Sequence, residues 1–218
     1  MFQVRIHGRG GQGVVTAAEL LALAAFEEGR YAQAFPSFGS ERTGAPVVSF
    51  CRIDDHEIRV REPVMEPDAL IVQDPTLLHQ VDVFGGAKPD AYILINTATS
   101  FDELGLGEFV QGFRHERLLT VPAGSLAREH TGRPVANAAL LGGFAAFSGL
   151  RAHVQGLISL DSVVSAIRER FKGAVAEGNV AAAMAAYAWV AEELKELDRD
   201  PVGCEPSATI PASARRGS

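Results

Sequence analysis

Cysteine is nearly missing from this chain of 218 residues, with only Cys51 and Cys204 present. An iron–sulfur cluster takes four thiolates, so the chain cannot ligate one by itself, and two cysteines build no disulfide framework. Cys51 sits in an apolar strand pattern and reads as a small buried hydrophobe. No run approaches the roughly 18 apolar residues of a membrane span, and no basic start leads into an apolar core and cleavage site. The expectation is a cytoplasmic protein with no signal peptide and no membrane partner. The 6 histidines are scattered without metal-ligand spacing. His7 and His56 read as packed or surface residues. There is no G-x-S-x-G elbow and no G-x-x-x-x-G-K-[ST] loop, and no acid–base pair can be named. A net charge of -7 with no basic stripe argues against nucleic acid.

What is present is a chain of ordinary globular composition, 47% hydrophobic and 22% charged, long enough to bury a core without staples. Strand and helix signals alternate, which indicates an α/β fold with a mostly parallel, Rossmann-like sheet. Strands are expected at Gln3–His7, Tyr31–Phe35, Val47–Ile53, Glu57–Val60, Ala69–Gln73, Tyr92–Asn96 and Leu118–Val121. The runs "ALIV" and "YILI" suit strands covered on both faces. "PVVSFCRIDDHEIRV" reads as two strands joined at Asp54–Asp55, a hairpin inserted in the parallel pattern. The last third is helical. Asn137 is the expected N-cap of one helix, whose Gly142 and Gly143 suggest close helix packing, and Ser159 caps a helix over Leu160–Phe171. Val180, Met184, Tyr187, Ala191 and Leu194 form the expected core stripe of the final helix. One domain is therefore expected over 1–197, followed by a disordered tail over 198–218, where large apolar residues run out.

Four glycines crowd into "GRGGQG", Gly8 to Gly13, after a strand and before a helix expected over Gln12–Glu28. Gly8, Gly10 and Gly13 match G-x-G-x-x-G in its proper context. Glycines let a phosphate approach the backbone, and the free N–H groups of the helix start then point at it. A dinucleotide site also needs an acidic residue at the end of the second strand. Here that strand ends in Pro36–Ser37, which disfavours NAD. A second loop, "PSFGSERTGAP" (36–46), is expected beside the first at the carboxyl edge of a doubly wound sheet. It offers Ser37, Gly39, Arg42 and Thr43 to a ligand or a subunit contact.

Taken together, "GRGGQGVVTAAELLA", "PSFGSERTGAPVVSFCRID", "PDALIVQDPTLL" and "PVANAALLGGF" resemble the gamma subunit of the 2-oxoacid:ferredoxin oxidoreductases. The likeness extends in order from Phe2 to Leu197, and is strongest to the pyruvate and branched-chain type. Arg42–Thr43–Gly44 stands where many relatives carry Arg-Arg-Gly, a departure compatible with a bulkier or aromatic 2-oxoacid such as phenylglyoxylate. The resemblance implies a non-catalytic subunit associated with coenzyme A. It also implies alpha, beta and delta-type partner subunits that carry thiamine diphosphate, Mg and iron–sulfur clusters, with ferredoxin or another acceptor taking the electrons. Its expected coenzyme A residues are Gly8, Arg9, Gly10, Gly11, Gln12, Gly13, Ser37, Gly39, Arg42 and Thr43, with no catalytic or metal-binding residue. Two other readings remain open: a purely structural assembly subunit, and a free-standing NAD- or FAD-binding oxidoreductase.

Overall fold

Burial of apolar runs builds the sheet. The structure, a computed structural model, describes residues 1–37, 43–150 and 157–199. Six strands, β1 (Phe2–Arg9), β2 (Tyr31–Pro36), β3 (Pro46–Asp54), β4 (Ala69–Val72), β5 (Tyr92–Asn96) and β6 (Leu118–Val121), lie in the order β2-β3-β1-β4-β5-β6. β4 pairs in parallel with β1 and β5, and β5 with β6, whereas β3 runs antiparallel to both β1 and β2. All strands but β3 therefore point one way, as a mostly parallel sheet requires.

The hairpin differs from the expected one. It joins β2 to β3 across the loop before Pro46, with Tyr31 opposite Asp54 and Phe35 opposite Phe50. Residues 57–60 form no strand. Their segment is a strap across the sheet, because the Arg52 guanidinium, only 2% exposed, draws the carbonyls of Val60 and Glu62 away from any ladder. Arg5, also buried, does the same for the carbonyls of Val64, Val83 and Gly85.

Helices α1 (Val14–Glu27), α3 (Ala123–Thr131), α4 (Asn137–Leu150), α5 (Leu160–Arg170) and α6 (Gly173–Arg199) share one core with Val4, Ile6, Cys51, Ile71 and Leu94 on one face of the sheet. The opposite face carries Leu70, Val72, Ile93 and Ile95 under irregular segments and the single turn α2 (Gly107–Val110). The crossovers thus switch faces on either side of β1, as in a doubly wound fold, but the long helices cover only one face.

The helical third follows its sequence signals with local shifts. Ser159 and Ser162 make a capping box at α5. α4 begins at Asn137, which lies one residue inside the helix, since Leu140 N–H already bonds the Ala136 carbonyl. Gly142 lets α4 approach α6 until an added Cβ would strike the Ala183 backbone. That contact rotates the stripe of α6: Val180, Ala183, Ala186, Val190 and Leu194 are buried, while Met184 is 52% exposed. The helix continues through Arg199, and the expected tail beyond it lies outside the described residues.

Candidate functional site

β1 delivers the glycine loop to the carboxyl edge of the sheet, at the point between β1 and β4 where crossovers change direction. Open α/β sheets bind ligands at such a point. Residues 43–45 of the second loop are brought there too, although β3 rather than β2 flanks β1. Gly10 bridges to Thr43, Gly10 N–H donates to the Ala45 carbonyl at 2.9 Å, and Gly44 N–H donates to the Gly10 carbonyl at 3.0 Å. Ser37 is exposed and its N–H bonds the Val48 carbonyl at 2.8 Å. Gly39 and Arg42 lie outside the described residues.

The glycines have different physical reasons. Gly8 is a packing position: an added Cβ would lie 2.6 Å from Val14 Cγ2. Gly11 has φ 93°, is exposed, and has open space where a Cβ would point. Gly13, at φ 73°, is the N-cap of α1, and a Cβ added there would lie 2.6 Å from the Asn137 amide nitrogen of α4. No side chain caps α1. Its first-turn N–H groups, including Val15 and Thr16 at half-buried positions, carry the partial positive charge of the helix start toward the loop.

Arg9 and Gln12 are engaged inside the loop. Arg9 donates to Asp74 at 3.0 Å, to the Gly44 carbonyl at 3.0 Å, and to Thr76 and Gln80 at 2.7 Å each. Gln12 accepts from Arg9 N–H and donates to Asp74, both at 2.8 Å. The two side chains brace the loop against the short 3-10 turn Pro75–His79. Asp74 is the anchor that reading the sequence missed. Its signal was available as Asp-Pro-Thr after an apolar strand, an N-cap signature. Burial opposes its ionisation, but hydrogen bonds from Thr76 and Gln12 and the Arg9 charge outweigh that and hold its carboxyl below the ordinary range.

Beneath the loop, Gln73 is 4% exposed and neither amide atom has a hydrogen-bond partner. Its Cβ would lie 3.2 Å from a Cβ added at Gly8. His7 is equally buried, with both ring nitrogens unpartnered, and burial followed by the nearby Arg5 charge lowers its pKa to about 4. It is a neutral packed histidine, whereas the His56 side chain is 90% exposed. Cys51 is fully buried, which pushes its thiol pKa up and makes it inert. No described helix is long and apolar enough to cross a membrane. The edge of the sheet thus offers uncapped amide donors and an open glycine, with the nearby carboxylate already paired. That arrangement suits an anionic group, and the described residues there hold no base positioned to attack or take a proton.

Comparison with known proteins agrees with the order of these elements. The profile of the pyruvate ferredoxin/flavodoxin oxidoreductase family matches residues 3–189. The chain belongs to that family. It is 46% identical over 187 residues to the pyruvate synthase subunit PorC of Methanothermobacter marburgensis, covering 86% of this chain and 96% of the relative. The common gamma subunit of the pyruvate/ketoisovalerate oxidoreductases of Thermococcus kodakarensis is also 46% identical, with the same coverage. Among solved structures, the pyruvate oxidoreductase subunit PORC of Thermotoga maritima superposes with a TM-score of 0.68 at 34% identity, covering 86% of this chain and 95% of that one. A 2-oxoglutarate:ferredoxin oxidoreductase of Magnetococcus marinus, solved with 2-oxoglutarate, coenzyme A and succinyl-CoA, contains this fold within 31% of its chain, at a TM-score of 0.62 and 18% identity.

Proposed function

We propose that this chain is the gamma subunit of a multi-subunit 2-oxoacid oxidoreductase acting on pyruvate or a branched-chain 2-oxoacid. The complex would convert 2-oxoacid and coenzyme A into acyl-CoA and CO2, with two electrons passing to ferredoxin or another acceptor. The thiamine diphosphate, Mg and clusters that supply decarboxylation and electron transfer belong on alpha, beta and delta-type partners. Two cysteines are too few for a cluster on this chain. A cytoplasmic location fits this reading.

On this chain the role is to place coenzyme A. The observation that carries it is the uncapped start of α1 behind an exposed Gly11 at positive φ. A phosphate of coenzyme A would accept hydrogen bonds from backbone N–H groups there. Gly8, Gly10 and Gly13 shape the loop, Arg9 and Gln12 hold it closed against Asp74, and Ser37 and Thr43 flank it; Gly39 and Arg42 of the same sequence loop are proposed as further contacts. Arg42 adds a cation suited to phosphate oxygens.

Gly11→Val tests this in the assembled complex. Its side chain would fill the open face and meet a backbone that L residues rarely adopt. Loss of charge-assisted hydrogen bonds worth about 1.5–3 kcal/mol corresponds to roughly a 10- to 100-fold rise in the coenzyme A KM, with the 2-oxoacid KM unchanged. A second reading, a purely structural subunit, is favoured by the internal engagement of Arg9 and Gln12. It predicts an assembled variant with unaltered coenzyme A dependence.

A further inference from the structure

β2 is an edge strand, and among the described residues nothing pairs with its outer side. Natural edges are defended with lysines, inward charges, bulges or prolines. "YAQAFP" has no charge, and its one proline is the last residue. Its side chains alternate. Phe35 faces Phe50 at 5.2 Å between ring centroids, with the Arg52 guanidinium over the Phe35 ring. On the other side Ala32 and Ala34 face α1, and their small size opens a groove of about 470 Å³ toward Leu23 and Phe26, closed at one rim by the Glu19–Arg170 pair. Phe26 is 71% exposed and neighbouring Tyr31 is 53% exposed.

Charge is uneven along this edge. At the Tyr31 end lie Glu27, Glu28, Asp54 and Asp55, against Arg30 and the chain's amino terminus. The last turn of α1 has no basic residue to offset its partial negative charge.

Resting on the reading of this chain as a complex subunit, we propose that β2 accepts a strand from a partner subunit. The occupant is an extended segment with apolar side chains at alternate positions and a lysine or arginine at the Tyr31 end. An unpaired strand edge asks for backbone donors and acceptors at strand spacing, which an extended chain supplies and a helix does not. Its inward side chains fill the slot left by Ala32 and Ala34 and cover Phe26. A second copy of β2, paired antiparallel, would set Phe35 and Pro36 against the acidic end and leave that charge uncompensated.

The test uses the assembled complex and the free chain. Hydrogen exchange at 31–36 is expected to slow in the complex relative to the free chain. Phe26→Gln, at an exposed site where the free chain's Tm is expected to stay within about 2 °C, is expected to cut recovery with the other subunits about 10- to 100-fold, the scale of an interface hot spot. Equal exchange in both states, or full recovery of the variant, overturns the proposal. So does a free chain that dimerises with β2 protected, or one whose β2 protection vanishes when residues 200–218 are removed. Co-purification with proteins unrelated to a 2-oxoacid oxidoreductase would instead refute the functional reading, while the exchange data still judge the strand.

Discussion

On its helical face the sheet meets alanines and glycines packed to backbone distance; on its other face it meets buried arginines, a neutral histidine and the carbonyls of a strap. The first face gains stability by close approach of regular elements. Gly142 sits against the Ala183 backbone, and Ala182, Ala183 and Ala186 are fully buried. The second has no helix at the β1–β3 end and uses polar groups as fasteners. Arg52 and Arg5 anchor the strap, and His7 lies among them without a partner. Small-residue packing tolerates no added volume, whereas the polar face responds to charge. The two faces should therefore fail under different perturbations.

The largest effect is expected on the helical face. Gly142→Val drives its Cβ into the backbone of α6, which cannot rotate aside as a side chain could. Overpacking usually costs about 1–3 kcal/mol, and a backbone collision belongs in the tail above about 4 kcal/mol. At roughly 2–4 °C per kcal/mol, thermal unfolding of the free chain should fall by about 10 °C or more. A fall of only a few degrees would mean that α4 and α6 separate easily and that the two faces are not so different.

The polar face should answer to pH. His7 is lowered to about 4 in the folded chain, against about 6.5 when unfolded. The unfolded state binds more protons in that window. Stability is thus fully present above about pH 6.5 and lost as pH falls toward 4, by about 3 kcal/mol. His7→Leu should flatten the dependence of Tm on pH between 6.5 and 4.5. An unchanged profile in the variant would show that His7 does not govern acid sensitivity in this window.

These contrasts also explain what could be read in advance. β4 and β5 were legible because burial on both faces leaves continuous apolar runs. The glycine loop was legible because positive φ at Gly11 and Gly13 and close contact at Gly8 favour glycine there. Residues 57–60 were misread because Glu57–Val60 alternates like a strand; only the distant pairing of β3 with β1 and β2 places Arg52 where it captures those carbonyls. Arg9 and Gln12 looked like ligand arms for a similar reason. Their partner Asp74 is more than 60 residues away in sequence; the local Asp-Pro-Thr signal announces the cap of a turn, not the pairing with Arg9 and Gln12.

The smallest effect sharpens the comparison at the outer side of the helical layer. A spacing of 4, 3, 4, 3 assigns Met184 to the core with Val180 and Leu194. The close approach at Gly142 turns α6 so that Ala183 and Ala186 face inward and Met184 outward. Truncating a buried methionine to alanine costs about 2–5 kcal/mol, whereas an exposed site stays within about 0.5 kcal/mol. Met184→Ala should therefore leave the Tm of the free chain within about 2 °C of the wild type. Val190→Ala, at a fully buried position of the same helix, should lower it clearly more. Comparable losses in the two variants would restore the stripe read from spacing and show that the glycine contact does not set the rotation of α6.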